Sequence, residues 1–281
     1  MTPDQPDESH KRYLVTRQYR DARNLNARGA LHARYGTNSY PWFRWVFDQI
    51  LAVAPASARI LEVGAGPGGL WRENLDRLPD SWRITLTDLS EGMVGEQRAA
   101  LAHDAFDFAV ADVEALPFAD SAVDLAIANH MLYHVPDRAK ALGELRRVLR
   151  PGGALIAATN GDDNMRELDD LVRSVAPEAA AGVWKASFRH PFTLENGPAQ
   201  LAPYFADIEL RRYDDGLNVT DIDPLVTYVL SIDAPGYSEE EVISAIATRA
   251  REVMEGHKGV FHITKSVGLF VAHRAAEHPE G

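Results

Sequence analysis

The chain has 281 residues, 46% of them hydrophobic and 25% charged, with a formal net charge of −12 and no cysteine. That length suffices for one large or two small domains around a real core, and the acidic balance argues against a dedicated nucleic-acid binder. The lack of cysteine excludes disulfides, thiolate zinc sites and thiol nucleophiles and fits a reducing cytoplasm, and no apolar run approaches the roughly 18 to 20 residues that span a bilayer.

Residues 1–9 are polar, acidic and contain proline. They read as disordered, and not as a signal peptide. From Lys11 to about Ile50 the pattern is helical. Tyr13, Leu14, Tyr19, Leu25, Leu31 and Tyr35 recur near helical spacing, residues 36–39 break the run, and Trp42, Phe43, Val46, Phe47, Ile50 and Leu51 form a second stripe. The first stretch carries Lys11, Arg12, Arg17, Arg20, Arg23, Arg28 and Arg34 against Asp21 as its only acid.

An alternation follows. Strands are expected at 59–63, 83–87, 106–111, 123–129 and 154–158, with helices at 70–78, 92–102 and 138–149. Apolar strands joined by short connections predict a doubly wound, mostly parallel α/β sheet with helices on both faces. Pro151, Gly152 and Gly153 are expected to close the helix before the fifth strand. Beyond Asn160 the alternation stops. Helices are expected at 168–175, from Thr193 to near Phe205, at 224–230 and at 239–255, the last with Ser238 as its N-cap. Residues 208–213 read as a strand, and 260–271 as a closing strand with an irregularity at Gly268.

The most informative run is 59–70. Apolar Ile60, Leu61 and Val63 lead into a turn crowded with Gly64, Gly66, Gly68 and Gly69, and Leu70 and Trp71 begin a helical pattern. Glycine lets backbone approach a ligand closely, and a helix start offers free N–H groups. The turn satisfies Gly-x-Gly-x-x-Gly, so a dinucleotide must be considered. Asp88, ending the second strand, can accept from ribose hydroxyls of any nucleoside cofactor and does not discriminate. Asp112, ending the third strand before a tight loop, can accept from an adenine amino group while backbone N–H meets a ring nitrogen. The fourth strand leaves the sheet at Asn129.

Together these runs resemble the class I S-adenosylmethionine-dependent methyltransferases, of the small bacterial type. The matching residues are 61–68 (Leu-Glu-Val-Gly-Ala-Gly-Pro-Gly), 86–90 (Leu-Thr-Asp-Leu-Ser), 111–118 (Ala-Asp-Val-Glu-Ala-Leu-Pro-Phe), 128–134 (Ala-Asn-His-Met-Leu-Tyr-His) and 149–153 (Leu-Arg-Pro-Gly-Gly). Five motifs in the family's order make the likeness specific for fold and cofactor; residues after Asn160 match only in placement.

The resemblance implies a seven-stranded sheet with an antiparallel last strand, and S-adenosylmethionine as cofactor. Gly64, Ala65 and Gly66 would admit the methionine part and Glu62 would help hold its amino group, with the Asn129 backbone facing it. Asp88 would bind the ribose, Leu89 would pack beside the adenine, and Asp112 and Val113 would read the adenine edge. Tyr19 is a further candidate for the cofactor. The chain then divides into a helical cap (1–50), a cofactor core (51–160), an acceptor-lid insertion with part of the sheet (161–259) and a closing strand (260–275).

Methyl transfer from a sulfonium is an in-line displacement, so no metal is required. The protein must align the acceptor, exclude water and, for some acceptors, remove a proton. His130 and His134 are the candidate bases, since histidine titrates near neutrality. Tyr133, Trp184 and Arg28 are candidate acceptor contacts. Trp184, Phe188 and Phe192, around Arg189 and His190, suggest an aromatic acceptor wall, and one or two arginines of the basic stretch are candidates for an acidic acceptor group.

The expected activity is methylation of a small molecule in the cytoplasm, such as a natural-product intermediate, with no nucleic-acid or membrane partner; a homo-oligomer stays open. Two alternatives remain. A NAD-dependent oxidoreductase shares the glycine turn and Asp88 but gains nothing from Asp112 and lacks an evident Tyr-x-x-x-Lys pair. A non-catalytic S-adenosylmethionine-binding protein would carry the same cofactor motifs.

Overall fold

The computed structural model describes residues 6–175, 191–232 and 240–276. Its centre is a seven-stranded sheet built from β1 (Arg59–Glu62), β2 (Arg83–Asp88), β3 (Phe106–Val110), β4 (Val123–Asn129), β5 (Leu149–Asn160), β6 (Ala206–Tyr213) and β9 (Val267–His273), in the order β3-β2-β1-β4-β5-β9-β6. Strands β1 to β5 pair in parallel, and β9 runs antiparallel to both β5 and β6. The expected doubly wound sheet with one antiparallel strand is therefore present.

Alternation along each strand divides two apolar layers. Leu61, Ala126, Leu155 and Phe270 pack on one face, and Ile60, Leu125, Ile156 and Val271 on the other. Helices α3 (Trp42–Val53), α4 (Gly69–Arg72), α5 (Glu91–Ala100) and α6 (Arg138–Val148) flank the sheet. The Ser90 hydroxyl caps α5 by accepting from Met93 N–H, and Asp137 caps α6 by accepting from Lys140 N–H.

Several boundaries differ from expectation. The N-terminal stretch is helical from Pro6: α1 (Pro6–Tyr13) passes into a π-helical turn (Leu14–Gln18), and α2 (Arg23–Tyr35) follows after a break at 19–22. Of the segment expected to be disordered, residues 1–5 lie outside the described residues. The helix expected over 70–78 stops at Arg72 and resumes as a 3-10 turn (Leu75–Arg77). Asn74 causes this: its side chain donates to the Leu70 carbonyl at 2.7 Å, while its own N–H turns to Trp71 O at 3.0 Å. Pro151, Gly152 and Gly153 lie inside β5, where Gly152 N–H donates to Arg274 O and Arg274 N–H to Gly153 O. They bend the start of a strand instead of closing a helix.

The closing run 260–271 is two strands. Only β9 joins the main sheet; β8 (Phe261–Thr264) pairs antiparallel with β7 (Gly216–Val219), a four-residue strand the sequence did not signal. The switch falls at Lys265 and Ser266, where Lys265 Nζ donates to Asp215 at 2.6 Å and Ser266 N–H donates to Asn164 at 3.0 Å.

The β7–β8 ribbon forms a second apolar cluster with α2, α7 (Arg166–Val175), α9 (Ile222–Leu230) and α10 (Glu240–Gly256). A short helix, α8 (Gly197–Leu201), precedes β6. Helix α2 thus packs with elements that come after the fifth strand, although it precedes the first. The proposed N-cap Ser238 lies outside the described residues. No helix among them is long and apolar enough to cross a membrane.

Candidate cofactor and acceptor site

The carboxyl ends of β3, β2, β1 and β4 lie side by side, and the order of strands reverses between β1 and β4. In open α/β sheets ligands gather at such a point. Gly64, Gly66 and Gly68 there have φ of 60°, 55° and 77°, a left-handed conformation that favours glycine. A Cβ on Gly64 would come within 2.8 Å of Met131 Cβ, whereas on Gly66 it would meet only Leu25 Cδ2, at 3.4 Å. Gly66 N–H donates to Asp88 Oδ2 at 2.9 Å, and its carbonyl accepts from Gln97 Nε2 at 2.7 Å. Ala65 N–H donates to Thr87 O at 3.0 Å.

The acidic residues sit at successive strand ends. Glu62 is 2% exposed, and its Oε2 accepts from Trp71 Nε1 at 2.5 Å. Burial, with the nearby Asp88 charge, pushes its carboxyl up to about 8 against the opposing Trp71 hydrogen bond. Asp88 also receives Ser90 N–H at 2.9 Å; burial raises its carboxyl despite these backbone donors. Leu89 is half-buried beside it.

At the end of β3, Asp112 Oδ1 accepts from Glu114 N–H at 2.9 Å, and its Oδ2 accepts from Lys11 Nζ at 2.8 Å. Lys11 also donates to Glu114 Oε2 at 2.5 Å. Burial opposes the ammonium charge, but the hydrogen bonds and charges of both carboxylates outweigh it and raise the lysine above its ordinary value. Val113 is buried next to this pair.

Asn129 ends β4 with its side-chain Oδ1 buried and without a hydrogen-bond partner among the described residues. His130 follows with a φ of 56°, in contact with Trp42 at a ring separation of 5.2 Å. His134 Nε2 lies 2.8 Å from the Tyr19 hydroxyl, and Tyr133 meets the His134 ring edge-on at 4.6 Å. Arg28 donates to the Tyr19 hydroxyl at 3.4 Å and to Ser231 O at 3.2 Å.

The structure therefore brings Tyr19, Arg28, Tyr133 and His134 together and places His130 beside Trp42. Trp184, with Phe188, Arg189 and His190, lies outside the described residues. Phe192 is fully buried against Phe270, 6.0 Å away. It is core, not the acceptor wall expected of it, because its backbone carbonyl is tied to Thr159 on β5. The Lys11 contact with Asp112 and Glu114, Gln97 on Gly66 and Met131 over Gly64 were not anticipated. Among the described residues no three His, Asp or Glu side chains gather as metal ligands.

A family described as a methyltransferase domain matches residues 61–157. That segment begins in β1, ends in β5 and contains all five motifs in order. Residues 61–157 therefore carry a methyltransferase domain, and the chain is similar there to the class I S-adenosylmethionine-dependent methyltransferases. Among curated relatives, the malonyl-[acyl-carrier protein] O-methyltransferase of Enterobacter lignolyticus is 36% identical over 46% of this chain and 50% of its own. The enzyme of the same name from Geobacter sulfurreducens is 29% identical over 84% of this chain and 88% of its own. The chain spans about half the length of most of the curated relatives it matches. Among solved structures, a putative methyltransferase from Bacillus halodurans C-125 superposes with a TM-score of 0.58 at 17% identity, covering 82% of this chain and 98% of that one.

The matched segment holds Glu62, the glycine turn, Asp88, Asp112, Asn129, His130 and His134. Tyr19, in the break before α2, and Arg28, on α2, lie outside it. The motif residues of the matched segment are thus met by side chains from a cover that the family match does not include.

Proposed function

We propose that this protein transfers the methyl group of S-adenosylmethionine to a small acceptor bound between the carboxyl end of β4 and the cover formed by α2 and α9. The observation that carries this reading is the meeting at the carboxyl ends of adjacent strands of a left-handed glycine turn with acidic side chains at three successive strand ends. An orphaned, buried Asn129 Oδ1 borders the same place.

In this reading Gly64, Ala65 and Gly66 admit the methionine part, with Glu62 and the Asn129 backbone at its amino group. Asp88 takes the ribose, Leu89 flanks the adenine, and Asp112 and Val113 take the adenine edge. When bound, S-adenosylmethionine supplies a methyl group already attached to its leaving group. The chain's own tasks are then alignment, exclusion of water and, for a hydroxyl acceptor, removal of a proton. His134 is the proton acceptor best placed for that task, because the Tyr19 hydroxyl holds its Nε2 at 2.8 Å on the acceptor side. The cysteine-free composition supports a cytoplasmic site of action.

The relatives named for malonyl-[acyl-carrier protein] suggest acyl thioesters as first acceptors to try. Labelled methyl transfer should be assayed with malonyl thioesters, free or on acyl-carrier protein, and with small phenols and amines. The reading expects transfer to at least one, reduced more than tenfold by Asp88→Ala. Binding of S-adenosylhomocysteine with no transfer to any acceptor would favour a non-catalytic role.

A further inference from the structure

We propose that Arg28 is the specificity-determining residue for the acceptor, and that the acceptor carries an anionic group, a carboxylate or a phosphate, which Arg28 holds. The inference rests on the methyltransferase reading above and names the acceptor class within it.

Among the described residues the cations of the basic N-terminal stretch fall into those that meet a carboxylate, those that are exposed, and Arg28. Lys11 is held by Asp112 and Glu114. Arg20 and Arg23 share Asp21, and Arg34 reaches Asp221. Arg12 and Arg17 face solvent. Arg28 is half-buried, and among the described residues its partners are neutral: the Ser231 carbonyl at 3.2 Å and the Tyr19 hydroxyl at 3.4 Å. Its guanidinium carbon lies 5.6 Å from the Tyr19 ring centroid. A guanidinium has five donors, and these two long bonds leave it poorly satisfied.

Among the described residues no carboxylate pairs with it. Tyr133 and Tyr228 stay neutral, since burial raises both hydroxyls against the opposing Arg28 charge. His32 is pushed down to about 3 by burial, so it is neutral as well. A half-buried cation among neutral groups is costly unless an anion meets it. The same guanidinium bonds Tyr19, whose hydroxyl touches His134 next to the end of β4. An anion on Arg28 would therefore sit one side chain away from the proposed transfer point. Arginine binds carboxylate and phosphate through paired N–H donors, which fixes orientation as well as charge.

The test uses the full chain saturated with S-adenosylhomocysteine, titrated calorimetrically with matched probes. Malonyl, succinyl and glutaryl thioesters of N-acetylcysteamine supply the carboxylate, the acetyl thioester is the neutral control, and phosphoethanolamine against ethanolamine supplies the phosphate arm. The expected result is preferential binding of an acidic probe, weakened tenfold or more by Arg28→Ala, partly restored by Arg28→Lys, with the neutral probes unaffected. Which acidic arm responds identifies the anion.

Equal binding of acidic and neutral probes, or no acidic binding, would overturn the assignment. So would an Arg28→Ala protein that melts earlier but binds the acidic probe as before, since Arg28 would then be structural. Failure of S-adenosylhomocysteine itself to bind the unmodified chain would instead contradict the methyltransferase reading on which the inference rests.

Discussion

Burial favours the protonated form of Glu62. Its carboxyl is sealed behind β1 with Trp71 as its donor, and burial lifts it from an ordinary 4.5 to about 8. A carboxyl raised in the folded state adds stability that is full below 4.5 and is lost as pH rises through about 8. Glu62→Gln should therefore flatten the fall of melting temperature between pH 5 and 8; an unchanged slope would show that the carboxyl is not buried in this way. The cofactor's ammonium would favour the charged form. Binding of S-adenosylhomocysteine at pH 7 should then release a proton and tighten as pH approaches 8. Calorimetry in buffers of different ionisation enthalpy reads this, and the Gln variant should lose the release. At this scale Glu62, Asp88 and Asp112 were legible because strand ends mark them. Their partners were not. Trp71, Gly66 and Lys11 stand 9, 22 and 101 residues from the Glu62, Asp88 and Asp112 carboxyls they bond, and only packing brings them there.

The N-terminal segment is a strap laid across the sheet edge. Lys11 pins it at Asp112, Tyr19 at His134, Ala22 N–H at Glu96, and Leu25 covers Gly66. Its closest approach is at Gly92, where an added Cβ would stand 2.2 Å from the Arg20 carbonyl oxygen. Gly92→Ala should favour α5 itself by helix propensity while lifting the strap. Trypsin should then cut among Arg12, Arg17, Arg20 and Arg23 several-fold faster, with the core melting temperature little changed. An unchanged cleavage rate would contradict the tight seating. The five parallel strands could be read from apolar runs bounded by turns. The closing strand could not be divided, because β8 buries only Phe261 and Ile263 in alternation and just Lys265 and Ser266 separate it from the buried run of β9. The helix after the glycine turn was read too long because Asn74 looks like any polar helix position until its side chain is seen on Leu70 O.

At the scale of the molecule, a sheet with two apolar faces meets a second apolar cluster of α2, α7, α9, α10 and the β7–β8 ribbon. The first module carries the motifs that resemble a cofactor site, and its five parallel strands were legible. The second was hidden because its parts come from both sides of the core in sequence: α2 before it, and the rest after. The proposed acceptor side lies where the two modules meet, and Arg28 and Tyr228 there are marked by no motif. The central claim concerns the first module: the strand-end carboxylates and glycine turn hold S-adenosylmethionine and not a dinucleotide. Parallel calorimetric titrations with S-adenosylhomocysteine and with NAD test it most directly. Saturable binding of S-adenosylhomocysteine, weakened tenfold or more by Asp112→Ala, with no heat from NAD, is the predicted result; binding of NAD without S-adenosylhomocysteine would contradict it.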